Sequence, residues 1–211
     1  MSPTPRSRAT LALLSAALLA PHAVAAPSME DPGMHDEDAV ARASMQGEGA
    51  RLEVAFDPAG DALAVRYRIT NTGPAPLAVF DRGDRHAVLA GGLVAGEVPA
   101  PRFERVEGGL ELSHEARPLP DPPPTLPPVP LASRLGPGEA RDGAFAFDLS
   151  LGEAPGPVRW CLGVAPFDAD RFEPAESAGD VALWTAPFDL AATQQRLCTP
   201  WFDPAAGRFL E

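Results

Sequence analysis

The chain predicts an all-β fold: an antiparallel β-sandwich of about eight or nine strands with almost no helix. Two observations carry this expectation. Apolar residues alternate with period two through Leu63–Ile69, Phe145–Leu151 and Val158–Val164, as half-buried strands require. Gly, Pro, Asn and Asp punctuate the chain between such runs at the spacing of a sandwich.

The N-terminus is set aside first. Arg6 and Arg8 precede the apolar run Ala9–Ala20, Pro21 ends it, and Ala23-Val24-Ala25 places small residues where a signal peptidase reads. The run is too short for a bilayer, which needs ~20 residues. Residues 1–25 are therefore expected to be a cleaved secretory signal, the product to be periplasmic or secreted, and no later segment to span a membrane. Removing Arg6 and Arg8 leaves 15 arginines against 29 acids, a net charge of −14. A surface so acidic repels nucleic acid and anionic lipid.

Residues 26–49 are polar, acidic and unpatterned. They read as a flexible leader, with one helical turn around 38–43. The single sandwich domain is expected over 50–211. Leu52, Val54 and Phe56 alternate in a first strand, and Asp57-Pro-Ala-Gly-Asp61 turns it into Leu63–Ile69, where Tyr67 and Ile69 face inward and Arg66 and Arg68 outward. Asn71-Thr-Gly-Pro-Ala-Pro76 breaks that strand and Leu77–Phe80 restarts an extended run.

The stretch LAVRYRITNTGPAPLAVF, a strand closing on an Asn-Thr-Gly turn and followed by a Pro-bracketed strand, resembles the central hairpin of bacterial exported immunoglobulin-like or fibronectin-like β-sandwich proteins. The resemblance covers residues 50–81. It implies an immunoglobulin-like sandwich that binds proteins or glycans through end loops or free sheet edges. A remoter similarity, on the same alternating strand and its Asn-containing turn, is to small β-sandwich proteinase inhibitor-like domains; the sequence assigns no reactive loop.

Ala87–Val94 reads as a strand interrupted by a bulge at Gly91-Gly92. Gly108-Gly109 between Arg102–Glu107 and Leu110–His114 marks a hairpin. Residues 118–130 hold eight prolines in thirteen residues, cannot ladder within a sheet, and are expected to cross between the two sheets. In Ala144–Leu151, Phe145, Phe147, Leu149 and Leu151 share a face. In Val158–Val164, Val158, Trp160, Leu162 and Val164 point inward, with Arg159, Cys161 and Gly163 on the other side. Short strands at Val181–Thr185 and Arg196–Thr199 follow, and the tail from Asp203 is weakly specified. Phe-Asp recurs six times at irregular spacing, which fits strands that bury a last ring and then turn on an Asp side chain.

Few residues invite chemistry. Cys161 and Cys198, an even pair in an exported chain, are expected to form one disulfide closing a loop of about 37 residues. His35, His86 and His114 sit beside no nucleophile motif, and His86 and His114 read as surface residues. Arg82-Gly83-Asp84 spells the tripeptide integrins recognise, a match that short sequences produce by chance. Met29, Met34, His35 and Met45 gather soft and imidazole ligands that suit copper, so a metal-handling leader is the competing reading. The main expectation is an exported, non-catalytic binding or accessory module without a cofactor, its partner a protein or glycan of the cell envelope.

Overall fold

The computed structural model describes residues 40–151, 156–175 and 181–210. The expected signal, the expected leader up to residue 39, and with them Met29, Met34 and His35, lie outside the described residues. The fold is all-β, in two sheets.

The first sheet has the order β1-β2-β3-β8, with β1 Ala41–Gly47, β2 Ala50–Ala59, β3 Ala62–Asn71 and β8 Ala140–Asp148. The hairpin β2–β3 turns through Gly60-Asp61, where Gly60 takes a φ of 61° at no steric cost. The period-two alternation behaves as expected. Tyr67 and Ile69 are buried and Arg66 and Arg68 exposed, and Phe145 and Phe147 of β8 face inward beside Val65 and Leu63.

The second sheet is built around β9, Val158–Pro166. Along one edge of β9 run β6 (Gly109–His114) and β4 (Leu77–Val79); along the other run β12 (Gln195–Cys198) and β13 (Phe202–Asp203). Beyond β4 lie β7 (Leu131–Leu135), β11 (Leu183–Thr185) and β10 (Glu173–Pro174), while β5 (Arg102–Val106) and β14 (Arg208–Phe209) flank β6 and β13. The core run β2–β3–β8 faces β7–β4–β9–β12, and the chain changes sheet after β3, β7 and β8. This is the wiring of an immunoglobulin-like sandwich. Between the sheets, Leu52, Val54, Phe56, Leu63, Val65, Tyr67 and Ile69 meet Val79, Leu112, Val158, Trp160, Leu162 and Val164 in one continuous core.

Several expectations are corrected. Residues 41–47 form a strand in register with β2, neither leader nor helical turn, so the sandwich begins before residue 50. Asn71–Pro76 is a corner between sheets and closes no hairpin, since β3 and β4 belong to different sheets. Asn71 makes this possible: its side-chain amide donates to the carbonyls of Ala75 (2.8 Å) and Leu135 (3.0 Å) and accepts from Gly73 N (2.9 Å), so the chain leaves β3 with its polar groups satisfied. Residues 85–89 form a short helix, α1 (Arg85–Leu89), capped by Asp84, where a strand was expected. The proline-rich segment joins β6 to β7 within one sheet instead of crossing between sheets. The sandwich is not wholly antiparallel, since β6 runs parallel to β9. Leu151 is exposed, because the chain leaves β8 in a 3₁₀ turn over Leu149–Leu151. The tail forms a small hairpin whose Phe202 and Phe209 pack on Phe56.

The expected disulfide is present. Cys161 and Cys198 face each other in register on β9 and β12, with Cα atoms 4.0 Å apart. It sits on the face of β9 opposite Trp160. That face is buried too: Ala78, Ala132 and Ala165 are small enough for Phe80, Ala116, Phe172, Ala186 and Leu190, the last on the second helix α2 (Leu190–Thr193), to close over it.

Two stability outcomes follow from these contacts. Asn71→Ala removes three hydrogen bonds around buried backbone groups and should lower unfolding free energy by about 2–4 kcal/mol in a urea titration. Joint Cys161→Ala and Cys198→Ala substitution reopens a 37-residue loop and should cost ~3–4 kcal/mol. A loss within error of zero in either case would refute the corresponding role.

Candidate functional site

Three buried polar clusters and one cleft hold most of the chemistry-bearing residues. The first cluster links the sheets. The Tyr67 hydroxyl donates to Asp81 Oδ2 at 2.6 Å, Ser133 Oγ donates to Asp81 Oδ1 at 3.3 Å, and Arg82 Nε lies 3.2 Å from the same oxygen as an ion pair. Burial, then the charge and hydrogen bond of Asp81, push the Tyr67 hydroxyl far above its ordinary value, so it remains a donor. Arg82 is itself buried and Asp84 caps α1, so Arg82-Gly83-Asp84 is structural and displays no recognition tripeptide.

The second cluster contains His114, which is buried and not at the surface as the sequence implied. Trp160 Nε1 donates to its Nδ1 at 3.0 Å, so the ring carries its proton on Nε2 and donates it to the Pro99 carbonyl at 2.9 Å. Phe145 and Trp160 pack against the ring. Burial lowers its pKa, outweighing the Pro99 hydrogen bond and the charge of Asp81. Nothing in the local sequence marks this role; only the opposing Trp160, distant in the chain, creates it.

The third lies on the outer face of the second sheet. Glu111 is almost fully buried and receives Arg159 Nε at 2.7 Å and a short contact from Arg196, whose Nε also donates to Glu115 at 2.8 Å. Arg159 in turn stacks 4.6 Å from the centre of the Trp201 ring. Burial works to raise the Glu111 pKa, but the hydrogen bonds and charges of Arg196 and Arg159 outweigh it and hold the carboxyl below its ordinary 4.5.

The cleft, about 280 Å³, opens at the end of the sandwich where β6 and β4 meet. Its floor is Phe80 and His114. One side is lined by residues between Gly83 and Ala100, the other by Glu115 and Arg117 with Pro128 and Pro130, and Arg102 and Ser113 complete the lining. The walls are tied down by backbone. Leu131 N donates to Gly83 O and Arg85 N to Val129 O, both at 2.9 Å, and His114 holds Pro99. Gly83 has a φ of 73°, and a Cβ there would come within 2.5 Å of Leu93, so the bare backbone sets the wall's path.

The second wall has its own device. Beyond His114, the edge of β9 is taken by β4, so residues 115–117 rise across the sheet face over Gly163. A Cβ on Gly163 would meet Glu115 at 3.0 Å and Gln194 at 2.3 Å. Gln194 clamps the crossing strand from both sides, its Oε1 accepting from Ala116 N (3.0 Å) and its Nε2 donating to Ala116 O (2.7 Å).

Of the copper set, Met45 lies on the inward side of β1, opposite Leu52, and packs against the core. It is therefore a core residue and not a free ligand of the leader. Among the described residues no group of three or more His, Cys, Asp or Glu could hold a metal ion, and no helix is long and apolar enough to cross a membrane. No family model matches the chain, and no curated protein or solved structure does.

The two shifted groups set the acid response. Below His114's ordinary 6.5 the unfolded chain takes up a proton that the folded chain refuses, so stability falls as pH drops toward the lowered folded value. The Glu111 contribution is present above 4.5 and is lost as pH falls through its depressed folded value. Unfolding free energy measured from pH 7 downward should fall in two limbs, with His114→Gln flattening the upper one and Glu111→Gln the lower. Unchanged limbs would remove these assignments.

Proposed function

We propose that the protein is an exported, non-catalytic binding module whose ligand enters the cleft at the loop end of the sandwich. The observation that carries this reading is a preformed concavity with walls fixed by backbone hydrogen bonds, a buried histidine and an amide clamp. Such a site spends little ordering entropy when a ligand arrives. The groups that could do proton or nucleophilic chemistry beneath it are committed elsewhere: both His114 nitrogens to Trp160 and Pro99, and the Asp81 oxygens to Tyr67, Ser133 and Arg82. Export is supported by the N-terminal sequence and by the disulfide, which persists in an oxidising compartment. The ligand can be a small molecule or one residue of an envelope protein or glycan, since the cavity admits no more.

A thermal-shift panel of organic acids, amino acids, sugars and short peptides tests this, using the mature chain and the cleft-filling variant Ala87→Phe. A ligand at a hundred times its Kd stabilises by ~2.7 kcal/mol, a rise of several degrees in Tm. The expected result is a rise in the parent chain that Ala87→Phe abolishes. Equal rises in both would place binding outside the cleft.

A further inference from the structure

The charges lining the cleft are unevenly committed. Four charged side chains line it: Asp84, Arg102, Glu115 and Arg117. Both acids are engaged, Asp84 Oδ1 by Ala87 N at 2.9 Å and Glu115 by Arg196 Nε at 2.8 Å. Elsewhere among the described residues some arginines find acids, as Arg68 holds Asp142, Arg171 holds Asp189, and Arg159 and Arg196 share Glu111, while Arg42, Arg51 and Arg208 stand exposed on strands without one. The side chains of Arg102 and Arg117 have neither a hydrogen bond nor an ion pair among the described residues, although acids outnumber arginines heavily in this chain. Two uncommitted guanidinium groups therefore line a cavity whose apolar part is Phe80, Ala87, Leu93, Ala100 and prolines.

We propose that the cleft binds a small organic carboxylate, its apolar body against the Phe80 floor and its carboxylate between Arg102 and Arg117. This rests on the cleft being the binding site. A guanidinium is a planar fork of donors that matches a carboxylate in two parallel hydrogen bonds. Both arginines are exposed, so this contact is screened by salt, while the apolar lining takes the body of the ligand. At about 280 Å³ the cavity is at the lower limit of ligand sites, which selects a body of a few carbons or a single ring. The acidic remainder of the surface repels polyanions, so the selection is for a single charge carried on a compact body.

Calorimetric titration of the mature chain with butyrate, hexanoate, octanoate and phenylacetate, each paired with its neutral amide, tests the assignment. Arg102→Gln with Arg117→Gln removes both charges at exposed positions, and its unliganded Tm should match the parent. The expected outcome is that at least one acid binds, its amide about tenfold or more weaker, with the double variant losing about tenfold or more for the acid and little for the amide. Raising salt should weaken the acid alone. Acid and amide binding equally, the double variant retaining full acid affinity, or no acid of the series binding at all would each overturn the proposal. Loss of an acid's or amide's binding in Ala87→Phe but not in the arginine variant would discard the carboxylate while leaving the cleft as the site. Binding untouched by either variant would discard both.

Discussion

The buried hydrogen bond from the Tyr67 hydroxyl to Asp81 ties the two sheets together across a mostly apolar core. A carboxylate with no solvent exposure is costly unless its oxygens are satisfied. Here that demand shapes its surroundings. Tyr67 must lean across its neighbour on β8, and the neighbour is Gly143, where any Cβ would lie 2.2 Å from the tyrosine ring. A glycine inside a strand weakens it, and at this position the loss is offset by passage for the ring. Ser133 on β7 and Arg82 beyond β4 complete the shell, so β3, β7 and the segment after β4 meet at one acid.

The same knot positions the candidate site. Arg82 leads directly into Gly83 and Asp84, which begin the first wall of the cleft, and Phe80 just before Asp81 is its floor. The second wall follows from the parallel pairing of β6 with β9, which delivers residues 115–117 to a place where the sheet edge is already occupied. The chain is forced over Gly163 and is held there by Gln194. Loops usually move more than the sheets they join. These loops are anchored by buried polar contacts reaching out of the core.

The sequence made the strand alternation legible because one face of each long strand is buried, and period two survives in β2, β3, β8 and β9. It made the disulfide legible because only two cysteines exist. The Phe-Asp rule held where Asp caps its own turn, as Asp148 does for Ser150, Asp168 for Asp170 and Asp203 for Ala205. It failed at Asp81, whose partners come from distant strands. β1 escaped notice because its inward residues are Ala41, Ala43 and Met45, too weakly apolar to stand out in an acidic stretch. Sheet membership was illegible at Asn71, since a hairpin and a sheet-to-sheet corner need the same turn residues and differ only in partners 64 residues away. The cleft was illegible for the same reason. Its arginines lie on either side of a hairpin, and its histidine is defined by a tryptophan 46 residues later.

The disulfide acts on the site through a short covalent path. Cys198 fixes β12 against β9, and β12 begins at Gln195, the residue after the clamp. Gln194 can hold Ala116 only while β12 keeps its register on β9, and Ala116 is the residue before Arg117. Oxidation therefore contributes more than loop-closure entropy. It keeps the strand that carries the clamp from fraying at its Cys198 end, next to Thr199, whose hydroxyl accepts from Trp160 N. Trp160 in turn supplies the hydrogen bond that orients His114 beneath the cleft. Both the floor and the second wall thus depend on the strand pair that the disulfide locks, and the compartment that keeps the bridge oxidised is the one in which the cleft holds its shape.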